Sequence, residues 1–296
     1  MLALKYPKET LKIIKEVKDD KTSGAIGLAI KSLDAFKPLK EIEGLDVKML
    51  GGVARRLIKA RPTMVCIGNV AAELFCKVMD RAVEVGMEKV VEIEAERLQK
   101  KLVMAKSSIA NGFSQYVDKS VVILTLSDSR TVLEALKKTK EKLAQVFICV
   151  SEPGHDGERL SKELSDLGMR NLMIPDLAIG SIMPKVDIVA LGADAIMSDG
   201  AVVNKIGSNT ASKVAFVEGK KVFFLAESVK VNPKGEELNL EYYAGEHGDG
   251  YQPMFDVTPY GYAQRVLCEN GELDLKDISA LSDKYAMYRT RVKALK

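Results

Sequence analysis

Over the first hundred or so residues, apolar side chains return every three or four positions, the spacing of one buried helix face. Lys8 to Lys18 carries Leu11, Ile13, Ile14 and Val17 among lysines, and Ser23 to Phe36 carries Ile26, Leu28, Ile30 and Leu33. Two longer patterns follow, Met64 to Val85 and Met87 to Ile109. The second sets Val90, Val91, Leu98, Leu102 and Ala105 against a charged face expected to be solvated. Asn111-Gly112 predicts a helix stop and a linker. Beyond it the period changes. Val121 to Thr125, Val146 to Val150, Asn171 to Pro175, Ile188 to Leu191 and Val222 to Ala226 are apolar runs of strand length. Helix-like segments alternate with them at Thr131 to Leu143, Gly157 to Leu167 and Asn209 to Glu218. The pattern predicts an α/β chain: a helical N-terminal domain over 1–112, then a doubly wound, parallel sheet domain over 113–296. Val231 to Asp256, rich in Gly, Glu and Tyr, reads as a long excursion of the kind that is often functional.

Composition narrows the function classes. The chain has 296 residues, 47% of them hydrophobic, and a net charge of +3 from 44 basic and 41 acidic residues, a balance that predicts neither a nucleic-acid nor a membrane partner. Cys66, Cys76, Cys149 and Cys268 show no CxxC spacing, and there are two histidines, so no metal site and no disulfide framework is expected. No cofactor is expected either. The first strand-to-helix turn, Thr125 to Arg130, contains no glycine, which removes the dinucleotide fingerprint, and no phosphate-binding P-loop is present. Met1 to Pro7 is too short and too early broken for a signal peptide, and no apolar run approaches the roughly 18 to 20 residues of a membrane span. A cytoplasmic location with reduced thiols is the expectation.

In a parallel sheet, ligands bind beyond the carboxyl ends of the strands. Those ends read Thr125-Leu-Ser-Asp-Ser-Arg130, Ser151-Glu-Pro153, Gly192-Ala-Asp194 and Ala226-Glu-Ser-Val-Lys230. Arg130 and Lys230 are cations suited to phosphate, Ser127 and Ser129 sit where a helix begins, and Asp194 can exchange protons or hold a hydroxyl. Ser129 and Asp128 serve equally well as an ordinary helix cap and dipole partner. Asn204 and Lys205, between Gly200 and Gly207, combine a point charge for phosphate with an amide for a sugar hydroxyl. In the helical part, Thr22-Ser23-Gly24-Ala25 offers a hydroxyl and a glycine at a helix start, and Arg61-Pro-Thr63 a proline-fixed arginine.

Together, Arg61-Pro-Thr63, the strand end Ile123 to Arg130, Gly192-Ala-Asp194, Asn204-Lys-Ile-Gly207, Ala226-Glu-Ser-x-Lys230 and Phe255-Asp-Val-Thr-Pro259 resemble, in order, the alpha, beta and delta regulatory subunits of translation initiation factor 2B. Related sugar-phosphate isomerases act on methylthioribose 1-phosphate and ribose 1,5-bisphosphate. The resemblance covers nearly the whole chain. It implies a Rossmann-like C-terminal domain, a homodimer or higher homo-oligomer, a translation-factor partner, and a phosphorylated sugar or nucleotide held in a cleft between domains. The ligand-binding residues it carries over are Ser23, Gly24, Ala25, Arg61, Ser127, Ser129, Arg130, Asn204, Lys205 and Lys230.

Two departures bear on catalysis. The isomerases place a cysteine general base where this chain has Ser127, and an arginine where it has Ser23. A thiol, with a pKa near 8.5, can be tuned to take a proton, whereas a serine hydroxyl needs a neighbouring base. The catalytic candidates left are Asp194 and, as a substitute base, Asp128. The expected function is that of a regulatory or ligand-binding member of this family. The alternatives are an aldose-ketose isomerase with an altered base, or a pure assembly subunit whose interface forms around Phe223 and Phe255.

Overall fold

A computed structural model describes residues 6–20, 23–238, 240, 242–244 and 251–295, and at 83–85, 242–244 and 251–252 the backbone alone. Five helices open the chain: α1 Lys8–Asp19, α2 Ala25–Asp34, α3 Val47–Ala60, α4 Val65–Val85 and α5 Met87–Ser114. An alternating region follows, with β1 Val121–Thr125, α6 Arg130–Thr139, β2 Leu143–Cys149, α7 Asp156–Asp166, β3 Asn171–Ile174, the short α8 Ile179–Ile182 and β4 Ile188–Leu191. Then come β5 Ala195–Ile196, β6 Val202–Lys205, α9 Ser208–Val217, β7 Lys221–Leu225, β8 Tyr242–Ala244 and β9 Tyr251–Pro253. The chain finishes with β10 Phe255–Thr258, β11 Arg265–Cys268, β12 Gly271–Leu273 and α10 Leu275–Lys293. This is the expected α/β class, a helical N-terminal region and a mostly parallel sheet.

Two compact units divide these elements, and both are discontinuous in sequence: 1–104, 229–238 and 280–296 form one, 105–228 and 239–279 the other. In the helical unit, Val17, Leu28, Leu33, Leu50, Val53, Leu57, Ile67 and Leu74 are fully buried or nearly so. Helix α3 has no counterpart in the sequence reading, because Gly51-Gly52 interrupts its apolar stripe. Side chains pack closely on both: a Cβ would stand 2.3 Å from Leu295 Cδ1 at Gly51 and 1.9 Å from Tyr6 Oη at Gly52, so either side chain would have to shift. Asn111 and Gly112 lie inside α5 rather than ending it, since a Gly in a helix interior costs only about 1 kcal/mol. The charged face of α4 and α5 is not wholly solvated. Glu94 is 1% exposed, and its carboxylate is held by Arg81 and, at 2.8 Å, by Arg97.

The second unit is built on a sheet in the order β12-β11-β7-β4-β1-β2-β3, parallel throughout except for the edge strand β12. From β1 the chain adds strands first on one side, to β2 and β3, and later on the other, to β4, β7 and β11. The switch point therefore lies between β1 and β4. Both strands are almost wholly buried, as apolar runs between covering helices must be. Phe223 is in this core, edge-on to Phe113 at 5.4 Å and fully buried, so it cannot form an interface. A second, antiparallel sheet β10-β6-β5 was not foreseen. Of the expected excursion from Val231 to Asp256, positions 239, 241 and 245–250 lie outside the described residues.

Candidate functional site

The switch point sets the geometry of the sheet unit, because two chains of strands diverge there and leave the ends of β1 and β4 uncovered. At the end of β1 the backbone turns sharply, with Ser127 at φ 62°. At the end of β2 Ser151 does the same, at φ 70°. Two left-handed, non-glycine residues on adjacent strand ends are strained and persist only where their surroundings hold them. Here the Ser127 amide donates to Ser151 Oγ at 2.7 Å, while the amides of Ser151 and Glu152 donate to the Asp176 carboxylate, each at 2.9 Å.

Ser129 caps α6, its hydroxyl accepting from the Val132 amide at 3.3 Å. Gly192, at the end of β4, faces it so closely that a Cβ would stand 2.7 Å from Ser129 Oγ and 3.7 Å from Asn204 Oδ1. Ser129 and Asn204 are thus brought together across Gly192. Asn204 and Lys205 are not loop residues but the end of β6, and both are buried. The Asn204 amide donates to Ser208 Oγ at 2.8 Å, and Ser208 Oγ donates to the Lys205 carbonyl at 2.7 Å. Half-buried Asp194 follows β4, with its amide bonded to the Val203 carbonyl at 2.8 Å.

Arg130 and Asp128 turn elsewhere. Arg130 pairs with Asp128 and, at 2.6 Å, with Glu163 of α7, and the second oxygen of Asp128 lies 3.2 Å from Arg159. Each oxygen of Asp128 therefore has its own guanidinium, and acting as a proton acceptor would require one of these ion pairs to open. No thiol nearby replaces it. Cys149, the last residue of β2, is pushed up to about 12 by burial and by the charge of Asp176.

Asp256 is the residue whose role sequence reasoning missed. It lies on β10 opposite Asn204, and its carboxylate accepts from the Gly207 amide at 2.9 Å and from the Asn209 amide at the start of α9. Burial raises its pKa to about 6 against the opposing pull of those two amides. The signal in the sequence was its place in Phe255-Asp-Val-Thr-Pro259, opposite no recognisable partner until β6 is known to be a strand.

The helical unit holds the remaining candidates. Ser23 donates its amide and its hydroxyl to the two oxygens of Asp20, each at 2.8 Å, and Arg61 donates to the Asp20 carbonyl, so Ser23 and Arg61 meet at one residue. Gly24 is the N-cap of α2, Ala25 its first residue, and Thr22 lies outside the described residues. Lys230 is buried, and the carbonyls on either side of it, Val229 and Val231, both accept from the Asn69 side chain at 2.8 Å. Asn69 is in turn held by Arg289, 3.2 Å away, for which Gly68 leaves room: a Cβ there would meet the guanidinium at 2.5 Å.

Comparison with known proteins agrees with the fold. A model of the initiation factor 2 subunit family matches residues 21–274. A Pyrococcus horikoshii protein described as an eIF-2B subunit 2-like translation initiation factor is 30% identical over 275 residues, 90% of this chain and 96% of its own. The ribose 1,5-bisphosphate isomerase of Methanocaldococcus jannaschii is 29% identical over 301 residues, 94% of each chain. Among solved structures, the Pyrococcus horikoshii translation initiation factor eIF-2B superposes with a TM-score of 0.75 at 28% identity, covering 90% of this chain and 97% of that one.

Proposed function

Because the chain belongs to the initiation factor 2 subunit family, we propose that it is a regulatory, ligand-binding member that takes a phosphorylated sugar or nucleotide at the strand ends of its sheet and does not isomerise it. The observation that carries this reading is the pairing at the end of β1. Ser127 stands where the isomerases that this chain resembles place their base, and both oxygens of the neighbouring Asp128 are held by arginines. General base catalysis is typically worth about 10²- to 10⁴-fold, so a site without that group turns over little. The phosphate-holding side is better supplied: the Ser129 hydroxyl at the start of α6 and buried Asn204 meet across Gly192, and buried Lys205 follows Asn204 on β6.

Self-assembly and a translation-factor partner belong to the same reading, supported by apolar side chains left at the surface, Phe216 at 53% and Val217 at 81% exposed on α9. The test uses ribose 1,5-bisphosphate, methylthioribose 1-phosphate and nucleoside monophosphates, with melting temperature and product formation measured in parallel. Stabilisation without product is expected, and Lys205→Ala should weaken it. Product formation instead selects the isomerase reading, with the Asp128 pairs opening on ligand closure. No response to any of the compounds leaves only an assembly subunit.

A further inference from the structure

Lys205 is the most deeply placed cation of the sheet unit's site, 4% exposed, and its ammonium is not free to meet a ligand. It lies 3.0 Å from Asp156 Oδ2, the first residue of α7, delivered by the loop that leaves β2. Gly154 permits this approach, since a Cβ there would stand 3.0 Å from the ammonium and 3.1 Å from the Asp156 carboxylate. The contact is an ion pair alone: among the described residues the buried ammonium has no well-aligned hydrogen bond. Asp156 itself is partly open to solvent, with 29% of its side chain exposed. The same loop blocks a second donor of the site, because Ser151 Oγ accepts from the Ser127 amide.

These contacts set, on one loop, a carboxylate against the Lys205 ammonium and a hydroxyl against the Ser127 amide, two candidate phosphate donors. We propose that Asp156 is an internal anion that competes with the ligand's phosphate for Lys205, so that this residue sets how tightly the site binds. The inference rests on the ligand-binding reading above. An entering phosphate accepts the ammonium protons in good geometry, and Asp156, its side chain already 29% exposed, swings out to solvent. Two negative groups cannot share one buried ammonium without repulsion, and in a partly desolvated site that repulsion is larger than it would be in water.

Titration calorimetry of ribose 1,5-bisphosphate into the full chain tests this. Asp156→Asn and Asp156→Ser should each bind about tenfold more tightly than the natural chain, the equivalent of relieving one modest charge conflict. Glu158→Gln removes the same charge from the same helix turn without touching Lys205, pairing instead with His155 at 3.2 Å, and should change affinity less than about twofold. In a Lys205→Ala background the gain from Asp156→Asn should vanish. Unchanged or weakened binding by both Asp156 variants, an equal gain from Glu158→Gln, or a gain that survives Lys205→Ala overturns the competition. If the natural chain binds and the Asp156 variants bind no better, the competition fails and the ligand-binding reading stands; if no variant binds, both fail.

Discussion

Asp256 and Asn69 show how single residues carry the sites. For Asp256, burial raises the folded-state pKa to about 6 from an ordinary value of 3.8. A carboxyl whose pKa is raised by folding favours the folded state fully below about pH 4, and that contribution is lost as the pH climbs through 6. The difference in unfolding free energy between Asp256→Asn and the natural chain should therefore move in the variant's favour by up to about 2 kcal/mol between pH 4 and 6. Urea unfolding at stepped pH measures it, and a difference that stays flat over this window would show that the carboxyl is not desolvated as described. For Asn69, the argument is satisfaction. Its amide serves two buried carbonyls flanking Lys230, so Asn69→Ala leaves both without a donor and should cost about 2 to 4 kcal/mol.

At the scale of elements, the apolar runs of β1 and β4 and the stripes of α1 and α2 were legible because their burial depends on local period alone. Helix α3 and strand β6 were not. The Gly51-Gly52 pair reads locally as a break, yet it is what lets Tyr6 and Leu295 lie against the helix. Val202 to Lys205 ends in two polar residues and reads as a loop, yet pairing with β10 makes it a strand that buries them. Contacts of this kind come from segments tens to hundreds of residues away, and no window along the chain contains them. Gly192 gives an element-scale test. Gly192→Ala drives a methyl against Ser129 Oγ, the cap of α6, and should destabilise by about 1 to 3 kcal/mol, whereas Ser129→Ala, losing only the cap, should cost about 1 kcal/mol. Combining them should cost less than their sum, since removing the hydroxyl relieves the nearer contact and leaves only Ser129 Cβ at 2.9 Å; additive melting shifts would count against the contact.

For the whole molecule, the compact units are assembled from separated pieces, with 280–296 belonging to the helical unit. Tyr285, Arg289 and Val292 are buried there, and Arg289 donates to the Val65 carbonyl at 3.0 Å. A chain ending at residue 279 should lose amide protection in α3 and α4, read by hydrogen exchange, while β1, β2 and β4 remain protected; equal protection in both would mean that α10 is dispensable. What the sequence by itself determined is the α/β class, the period change near the first strand and the family, because these depend on residue identity and local spacing. Only the tertiary structure decided that Arg130 and Asp128 neutralise each other, that Asp256 faces Asn204, and that Asp156 lies on Lys205. Charge pairing and desolvation act between side chains that distant segments deliver to one place, so the same residues, read in line, carry no sign of whether they are partners or free.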